Sequence, residues 1–368
     1  MEKSTDHMVT TAGRCGAGAA GVGAWWALVL AFLALAGGGC IGAGRGVPLE
    51  ERQKVEQRAL LALTLATRDP AAAVRVQAIE SLQEGAPRVG VRYFMEALED
   101  EYPGVRFAAL MALGSLRYAP ARDMIRARLN DADPHVRLAA RFAMSRMGDP
   151  SGVPEIVSAL RTHRSAAVRG NAALILGRLG DAGAVGALRG ALKEQDESVR
   201  LQVLEAMALL GDKKAVGELG LIAYSSTGPK MVLALLALGE ARRSELRNLF
   251  LEQFESASYD EVRLAAAAAL ARIGEPVGAA YAQDRLRNYR PERSGVDTPE
   301  QQAARVRILA TVVLGAARDP AAMPALDDAL RNETNESVRV AAARAVLMIA
   351  GSVETGESTE VVAGKGAE

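Results

Sequence analysis

Aromatic residues are scarce in this chain of 368 residues, at 4% of the sequence. Because Phe, Tyr and Trp bury large areas each, a thick single core would normally use more of them. Alanine, leucine, glycine and arginine dominate instead, and small side chains let helix backbones approach closely. The composition therefore favours thin helical layers over two or three ordinary domains.

Cysteine, histidine and net charge are also low. The two cysteines, Cys15 and Cys40, precede the repeats, which excludes a disulfide framework or a cysteine-based metal site in the folded body. The three histidines, His7, His135 and His163, have no second histidine at a ligand spacing, so no metal or other cofactor is expected. Acidic and basic residues balance at 44 each, which argues against a nucleic-acid partner.

The first 39 residues have the layout of a secretory signal peptide. Lys3 and Arg14 supply the positive charge, residues 24–36 form an unbroken apolar run, and three glycines follow. Small residues suit the extended backbone that a signal peptidase must accept. Initiation at Met8 rather than Met1 would shorten the long lead before the apolar run.

Cys40 ends the segment LAGGGC, which resembles the lipobox of bacterial lipoproteins. The resemblance implies that residues 1–39 are removed, that the Cys40 thiol is acylated and that the lipid attaches the protein to a membrane. The segment departs from the usual pattern because Gly37 stands where a leucine is preferred. Two alternatives stay open: simple cleavage and release, or retention of the uncharged segment 16–44 as an anchor. Lipidation or retention places the folded part in a bacterial cell envelope, anchored to a membrane and outside the cytoplasm.

A Val-Arg pair recurs along the chain in a fixed phase, which is the signature of a repeat architecture. Successive valines are spaced by 31, 31, 32, 31, 63, 44 and 32 residues. The spacing of 63 equals two periods and contains one degenerate unit, around residues 224–254; the spacing of 44 is one period plus an insertion. The eight pairs are Val74-Arg75, Val105-Arg106, Val136-Arg137, Val168-Arg169, Val199-Arg200, Val262-Arg263, Val306-Arg307 and Val338-Arg339.

Each valine opens the same helical pattern. In the third unit Val136, Ala140, Ala143, Met144 and Met147 place one apolar stripe along a helix. A glycine followed by an acid ends most of these helices, since glycine adopts the left-handed cap cheaply. A shorter apolar run and an acidic turn complete the unit, and such acids can satisfy free amides at a helix start. Each unit therefore predicts two antiparallel helices.

The motif D-x-x-x-x-V-R-x-x-A-A-x-A-L-x-x-[LM]-G-D, clearest in residues 131–149, resembles the short HEAT-like repeat of phycobilisome-lyase-type proteins. The resemblance covers residues 69–350 and implies an all-α, armadillo/HEAT-like α-solenoid of antiparallel hairpins. Apolar stripes of this kind are buried only against neighbouring units. The predicted organisation is a linker over 40–49, the solenoid over 50–350 and a disordered tail over 351–368.

The ends and the faces of the solenoid can be predicted too. Residues 50–67 predict a leading helix that caps the first unit, and Val338 to Ala350 predict the helix that ends the stack. We expect the second helices of the units to line the concave face. The repeated arginines favour a structural ladder between units over a row of anion-binding groups.

The insertion between the sixth and seventh Val-Arg pairs is the candidate partner-binding loop, since insertions in solenoids map to loops on one face. Its tyrosines and arginines could stack on and pair with an acidic or planar partner, although a solvated helix extension is the plainer interpretation. The candidate residues are Tyr281, Arg285, Arg287, Tyr289, Arg290 and Arg293.

The sequence offers no nucleophile–base pair, no H-E-x-x-H and no glycine-rich loop after a strand, so an enzyme is not expected. The leading hypothesis is an exported, lipid-anchored scaffold that binds another protein along its concave face. The resemblance implies one alternative, a bilin lyase or isomerase that attaches chromophores, and the export signal argues against it. A structural spacer of the cell envelope is a third hypothesis.

Overall fold

The computed structural model describes residues 48–180, 182–291 and 298–363, with side chains described as far as Gly351. Residues Val47–Glu368 fall in one compact unit. Its described residues form 18 α-helices and no β-strand, which confirms the predicted all-α solenoid. None of the helices described there is long and apolar enough to cross a membrane.

The helices are numbered α1 to α18 in chain order, and five short 3-10 turns lie between them. The bounds are α1 Leu49–Ala66, α2 Ala72–Gly85, α3 Pro87–Ala97, α4 Pro103–Ser115, α5 Arg122–Ala127, α6 Pro134–Arg146, α7 Val153–Thr162, α8 Ala166–Leu179, α9 Ala182–Ala191, α10 Glu197–Leu209, α11 Lys213–Ser225, α12 Pro229–Glu240, α13 Arg247–Ser256, α14 Asp260–Arg272, α15 Ala279–Asn288, α16 Pro299–Ala317, α17 Met323–Asn332 and α18 Glu336–Ala363.

The even-numbered helices form the inner layer and the odd-numbered helices the outer layer. Each even helix carries a Val-Arg pair, except α12, and packs against the even helices of both neighbouring units. Odd helices contact each other much more sparsely. The prediction that the second helices line the concave face is therefore wrong. Helices on the inside of a curve lie closer together, and the Val-Arg helices carry the small side chains that closer packing requires.

The two ends of the chain meet and close the solenoid into a ring. Helix α18 packs against both α1 and α2. Arg344 Nε donates to Glu84 Oε2 at 2.8 Å, and Arg58 forms a salt bridge with Asp327. Helix α1 was expected to cap the first unit; it also serves as the outer partner of α18, so the ninth hairpin is assembled from both ends of the chain.

Small residues allow the closest helix contacts in the inner layer. A Cβ added at Gly114 would lie 2.7 Å from Ala143 Cα of the next even helix. The same glycine-to-alanine contact recurs at three further junctions between even helices. The equivalent contacts are Gly177 with Ala206 at 2.8 Å, Gly239 with Ala269 at 2.7 Å and Gly315 with Ala345 at 3.2 Å.

Several predicted features fall outside the described residues: the signal peptide, the linker over 40–47 and Arg293. Helix α18 runs to Ala363 and so extends into segment 351–368, for which the sequence predicts disorder. The other domain boundaries remain predictions.

The closure can be tested at Gly85, where an added Cβ would lie 2.6 Å from Leu347 Cβ. We expect Gly85→Val to force α2 and α18 apart and to lower the free energy of unfolding by about 1–3 kcal/mol, as overpacking does. Urea denaturation measures the loss, and small-angle X-ray scattering should show a larger radius of gyration. Gly217→Val, at a helical glycine with open space around it, is the matched control; equal effects of both substitutions would contradict the closure.

Candidate functional site

The repeated arginines join consecutive units. Arg75 Nε and Nη2 each donate to a carboxylate oxygen of Asp100 at 2.8 Å, and its Nη1 donates to the Asp69 carbonyl at 2.8 Å. Arg106 repeats the arrangement with Asp131, at 3.0 and 2.8 Å. A planar guanidinium is suited to such two-point binding. These contacts confirm the structural interpretation of the arginine ladder.

Other ladder positions follow the local sequence. Arg169 and Arg307 pair with Glu194 and Glu333, at 2.7 and 2.9 Å. Arg137 donates to the carbonyls of Asp131 and Ala132, and the residue in the equivalent place 25 positions further on is Thr162 rather than an acid. The ladder thus continues wherever the following turn supplies a carboxylate.

The turn acids do two different jobs. Asp131 accepts from the Asp133 amide at 3.0 Å and binds Arg106, whereas Asp133 is the residue that caps α6. The acids five residues before the valine each accept a backbone amide just before the helix, as expected, and Asp100 and Asp131 also bind the ladder arginines. Burial acts to raise the pKa of Asp131, but its hydrogen bonds from Arg106 and Asp133 outweigh burial and hold that pKa below its usual value.

Charged side chains of the inner layer meet at the centre of the ring. Glu240 pairs with Arg272 at 3.2 Å between α12 and α14. Glu80 of α2 is influenced by Arg344 of α18 and also by Arg178 of α8, three units away along the ring. The closed series of contacts between the inner helices makes them surround a common interior.

Two glutamates stand in this interior without a close ionic partner. Glu80 touches solvent, yet protein surrounds it, so burial raises its pKa despite the opposing charges of Arg344 and Arg178. Burial also raises the pKa of Glu205, which Arg178 opposes. In the charged form, both carboxylates therefore lower the free energy of unfolding of the ring relative to the protonated form.

The insertion places only part of the predicted loop on the surface. Tyr281 and Arg285 lie on α15, where the Tyr281 hydroxyl donates to Asp260 and the Arg285 guanidinium lies 5.0 Å from the centre of the tyrosine ring. Tyr289 is buried. Among the candidate residues whose side chains are described, Arg287 and Arg290 are exposed. The partner-binding role of the loop remains a prediction, and Arg287 and Arg290 are the described candidates that are accessible to a partner.

Tyr281 is instead part of the framework. The Arg263 guanidinium lies 4.4 Å from the centre of its ring, and Phe254 meets it edge-on at 5.8 Å. Position 288, where a ladder acid would stand for Arg263, holds an asparagine, so aromatic stacking takes the place of the ion pair. Burial and the hydrogen bond to Asp260 raise the pKa of Tyr281 to about 12.

One exposed aromatic residue near the insertion was missed from the sequence. Tyr259 is 64% exposed and immediately precedes Asp260, the residue that contacts Tyr281 and Arg285 of α15. It therefore lies on the same edge of the ring as Arg287 and Arg290. Because Tyr259 belongs to a turn of the regular repeat, nothing in the period distinguished it.

Within residues 48–180, 182–291 and 298–351, no cluster of His, Cys, Asp and Glu could hold a metal ion. Cys40, the predicted lipid-attachment residue, precedes these ranges. The geometry thus defines a class, a closed α-solenoid of helical hairpins joined by an arginine–carboxylate ladder.

Sequence comparison identifies the repeats of this class. The HEAT repeat family matches residues 59–145, 93–160 and 153–220. Residues 59–220 therefore carry HEAT repeats, as the motif predicted. No curated protein sequence matches it.

Three solved structures are similar in fold, at low identity. Human deoxyhypusine hydroxylase is 20% identical over 73% of this chain and 96% of its own, with a TM-score of 0.33. The CpcE–CpcF complex of phycocyanin lyase from Nostoc is 19% identical over 69% and 94%, with a TM-score of 0.40. The Escherichia coli protein YibA is 15% identical over 76% and 98%, with a TM-score of 0.34. These similarities carry no argument about activity.

The ladder gives a pH-dependent prediction at Asp131, whose side chain is 4% exposed. We expect Asp131→Asn to cost about 2–3 kcal/mol at neutral pH, because Arg106 loses its buried ionic partner. Since the folded-state pKa of Asp131 is lowered, its contribution is present above the unfolded-state value and is lost as pH falls through the folded-state value. Urea titrations at decreasing pH should show the difference shrinking.

The control for this prediction is Asp123→Asn, which removes an exposed i,i+3 pair with Arg126. An exposed pair contributes less than about 0.5 kcal/mol. A large effect at Asp123, or an Asp131 effect that persists at low pH, would contradict the ladder's role.

Glu80 gives a prediction of opposite sign. Its pKa is raised in the folded state, so the folded ring binds more protons and stability falls as pH rises through that pKa. We expect Glu80→Gln to raise the urea midpoint at neutral pH and to lose this advantage below the unfolded-state pKa. Glu155→Gln, at an exposed outer-layer position, should change little at either pH.

Proposed function

We propose that this HEAT-like ring is a scaffold that binds another protein, and that it works outside the cytoplasm on a lipid anchor at Cys40. The observation that supports the binding role most is the exposed set of Tyr259, Arg287 and Arg290 beside the insertion. Tyrosine and arginine are the residue types that dominate protein interfaces.

The rigid surroundings of this set favour a preformed binding surface. Asp260, directly after Tyr259, accepts from Tyr281 and lies 3.6 Å from Arg285 Nη1, so α14 and α15 are held together at this point. A surface fixed before binding avoids part of the entropy cost of association. Arg287 and Arg290 form no ion pair with another described residue, which favours a partner with an acidic surface.

The anchor rests on the lipobox-like sequence. Acylation of Cys40 or retention of the segment 16–44 would both hold the ring at a membrane, whereas simple release would not. The concave-face hypothesis is less favoured, because closure makes that face the inside of a ring. Nothing in the geometry of the described residues favours the bilin-lyase alternative, and the envelope spacer differs from the scaffold in lacking a partner.

A crosslinking experiment tests the scaffold. A photo-reactive amino acid at position 259 of the membrane-anchored full chain should give a discrete adduct with a partner protein, which mass spectrometry can identify. We expect Arg287→Gln with Arg290→Gln to weaken or abolish that adduct. The same probe at Ser151, on the opposite edge of the ring, is the control; identical adducts at both positions, or none at 259, would argue for a spacer.

Metabolic labelling tests the anchor. Radiolabelled palmitate should enter the wild-type chain and Cys15→Ala, and should be absent from Cys40→Ala. Because the chain has only these two cysteines, each variant is the control for the other. Wild-type chain without label would rule out lipidation at Cys40.

A further inference from the structure

Three arginines occupy a backbone conformation that the other units reserve for glycine. After the inner helices α4, α12 and α16, the cap residues Arg117, Arg242 and Arg318 have φ of 52°, 50° and 52°. The corresponding caps after α6, α8, α10 and α14 are glycines, with φ of 94°, 71°, 87° and 93° at Gly148, Gly180, Gly211 and Gly274. A non-glycine residue in this left-handed region is strained, and glycine would fit there at lower free energy.

The three side chains lie at the surface of the ring. All three are exposed, and among the described residues their guanidinium groups make no hydrogen bond or ion pair. Arg242 is even close enough to Arg272 to be repelled by it. Strain that three units carry without an internal contact points to a contact outside the molecule.

The three arginines lie on one edge of the ring, here named the end rim, where the even helices end. No described carboxylate on this rim pairs with the three arginines, and several carboxylates there already bind other groups. The engaged acids are Glu84 with Arg344, Asp149 with the Ser151 amide, Asp212 with the Lys214 and Ala215 amides, Glu240 with Arg272, Glu275 with Arg247, and Asp319 with the Ala321 amide.

Exposed apolar residues share the end rim with the arginines. Val89, in the first turn of α3, and Val277, after α14, are 41% and 55% exposed. Leu49 is 62% exposed and begins α1. Since α1 ends just before α2 begins, its C-terminus lies at the opposite edge and its first residue lies on the end rim. Arginine beside exposed aliphatic residues is the composition of a membrane-surface contact.

The chain enters the ring on this same edge. Cys40 precedes Pro48 by eight residues, and eight residues span at most about 28 Å when fully extended. A lipid on Cys40, or a membrane segment ending at Gly44, would therefore attach the ring to the bilayer from the side of the end rim, through a tether of at most about 28 Å.

We propose that the end rim docks on an anionic lipid surface, with Arg117, Arg242 and Arg318 binding lipid phosphates at three separated points of the ring. This orientation rests on the proposed membrane attachment and adds to it the face that the ring turns to the bilayer. A lipid surface suits arginines that belong to three separate units, because mobile headgroups can meet each one independently. The partner-binding edge then faces away from the membrane.

A tethering experiment tests the docking without depending on natural acylation. The full chain, with Cys15→Ser, is coupled through Cys40 to a maleimide-bearing lipid in vesicles. A fluorescent amino acid replaces Ser151 on the end rim or Ser198 on the opposite edge; both are exposed and follow an aspartate that accepts their amide. A headgroup-bound quencher reports contact with the lipid surface.

In vesicles that contain phosphatidylglycerol, we expect strong quenching at position 151 and little at 198; vesicles of phosphatidylcholine alone should quench neither strongly. Replacing all three arginines by glycine should lower the docked population by about fivefold per arginine. The same triple variant should raise the urea midpoint, because glycine relieves the left-handed caps. Folding failure therefore cannot mimic the loss of docking.

The matched control removes the same charge from the opposite edge, with Arg161→Gln, Arg164→Gln and Lys193→Gln, and should leave quenching at 151 unchanged. Equal quenching at 151 and 198, or quenching that survives the triple glycine variant, would overturn the proposal. If neither position is quenched, the lipid surface is wrong and an acidic protein becomes the occupant to test. Palmitate labelling tests the anchor separately, so the two proposals can fail independently.

Discussion

The approach of neighbouring inner helices determines most of this architecture. At every second junction a glycine lies against the backbone of an alanine in the next helix, with room for no further carbon atom. Such contacts bring the axes of the inner helices close together while the outer helices stay further apart. Because the two layers differ in helix spacing, the solenoid curves towards the inner layer. Closing a ring with few units requires strong curvature, which larger side chains would not permit. The inner helices can therefore close into a ring only because large aromatic side chains are scarce between them.

Closure also separates the molecule into surfaces with different chemistry. Ion pairs of the ladder lie at the edge where the inner helices begin, and they engage Arg75, Arg106, Arg169 and Arg307, four of the eight repeated arginines. At the other edge the arginines that follow three of the helices have no partner in the described part of the chain. The same residue type thus holds units together on one edge and remains available on the other. The interior, lined by charged groups with shifted pKa values, is a third environment.

Much of the fold was predictable because the repeat is regular. The phased Val-Arg pairs located the inner helices, and the acids 25 residues after Arg75 and Arg106 are visible in the sequence. Closure was not predictable, since it depends on the accumulated angle between units and on contacts such as Arg344 with Glu84, which are 260 residues apart. The layer assignment failed for the same reason, because a period does not show which of two helices faces inwards.

The candidate site was less predictable than the fold. The insertion was evident as a break in the period, but Tyr281 and Tyr289 proved to be packed into the ring. Whether a tyrosine in an insertion is exposed depends on neighbours such as Asp260 and Arg263, which come from another helix. The strained arginines carry a signal that is readable in retrospect: each replaces a glycine at a helix end. From the sequence alone, an arginine in place of this glycine looks like ordinary variation between repeats. Only the positive φ shows that the arginine adopts a strained backbone conformation.

The hairpin formed from both chain ends has a consequence for how this protein can change over evolution. An open array tolerates duplication or loss of a unit, since every unit contacts only its neighbours. In a closed ring of nine units, each unit is rotated by about 40° relative to the one before it. Adding one unit would require the angle at every junction to change by about 4°. Unit number and junction geometry are therefore locked to each other, so variation is confined to loops and surface side chains, where the insertion after α15 and the arginine caps are found.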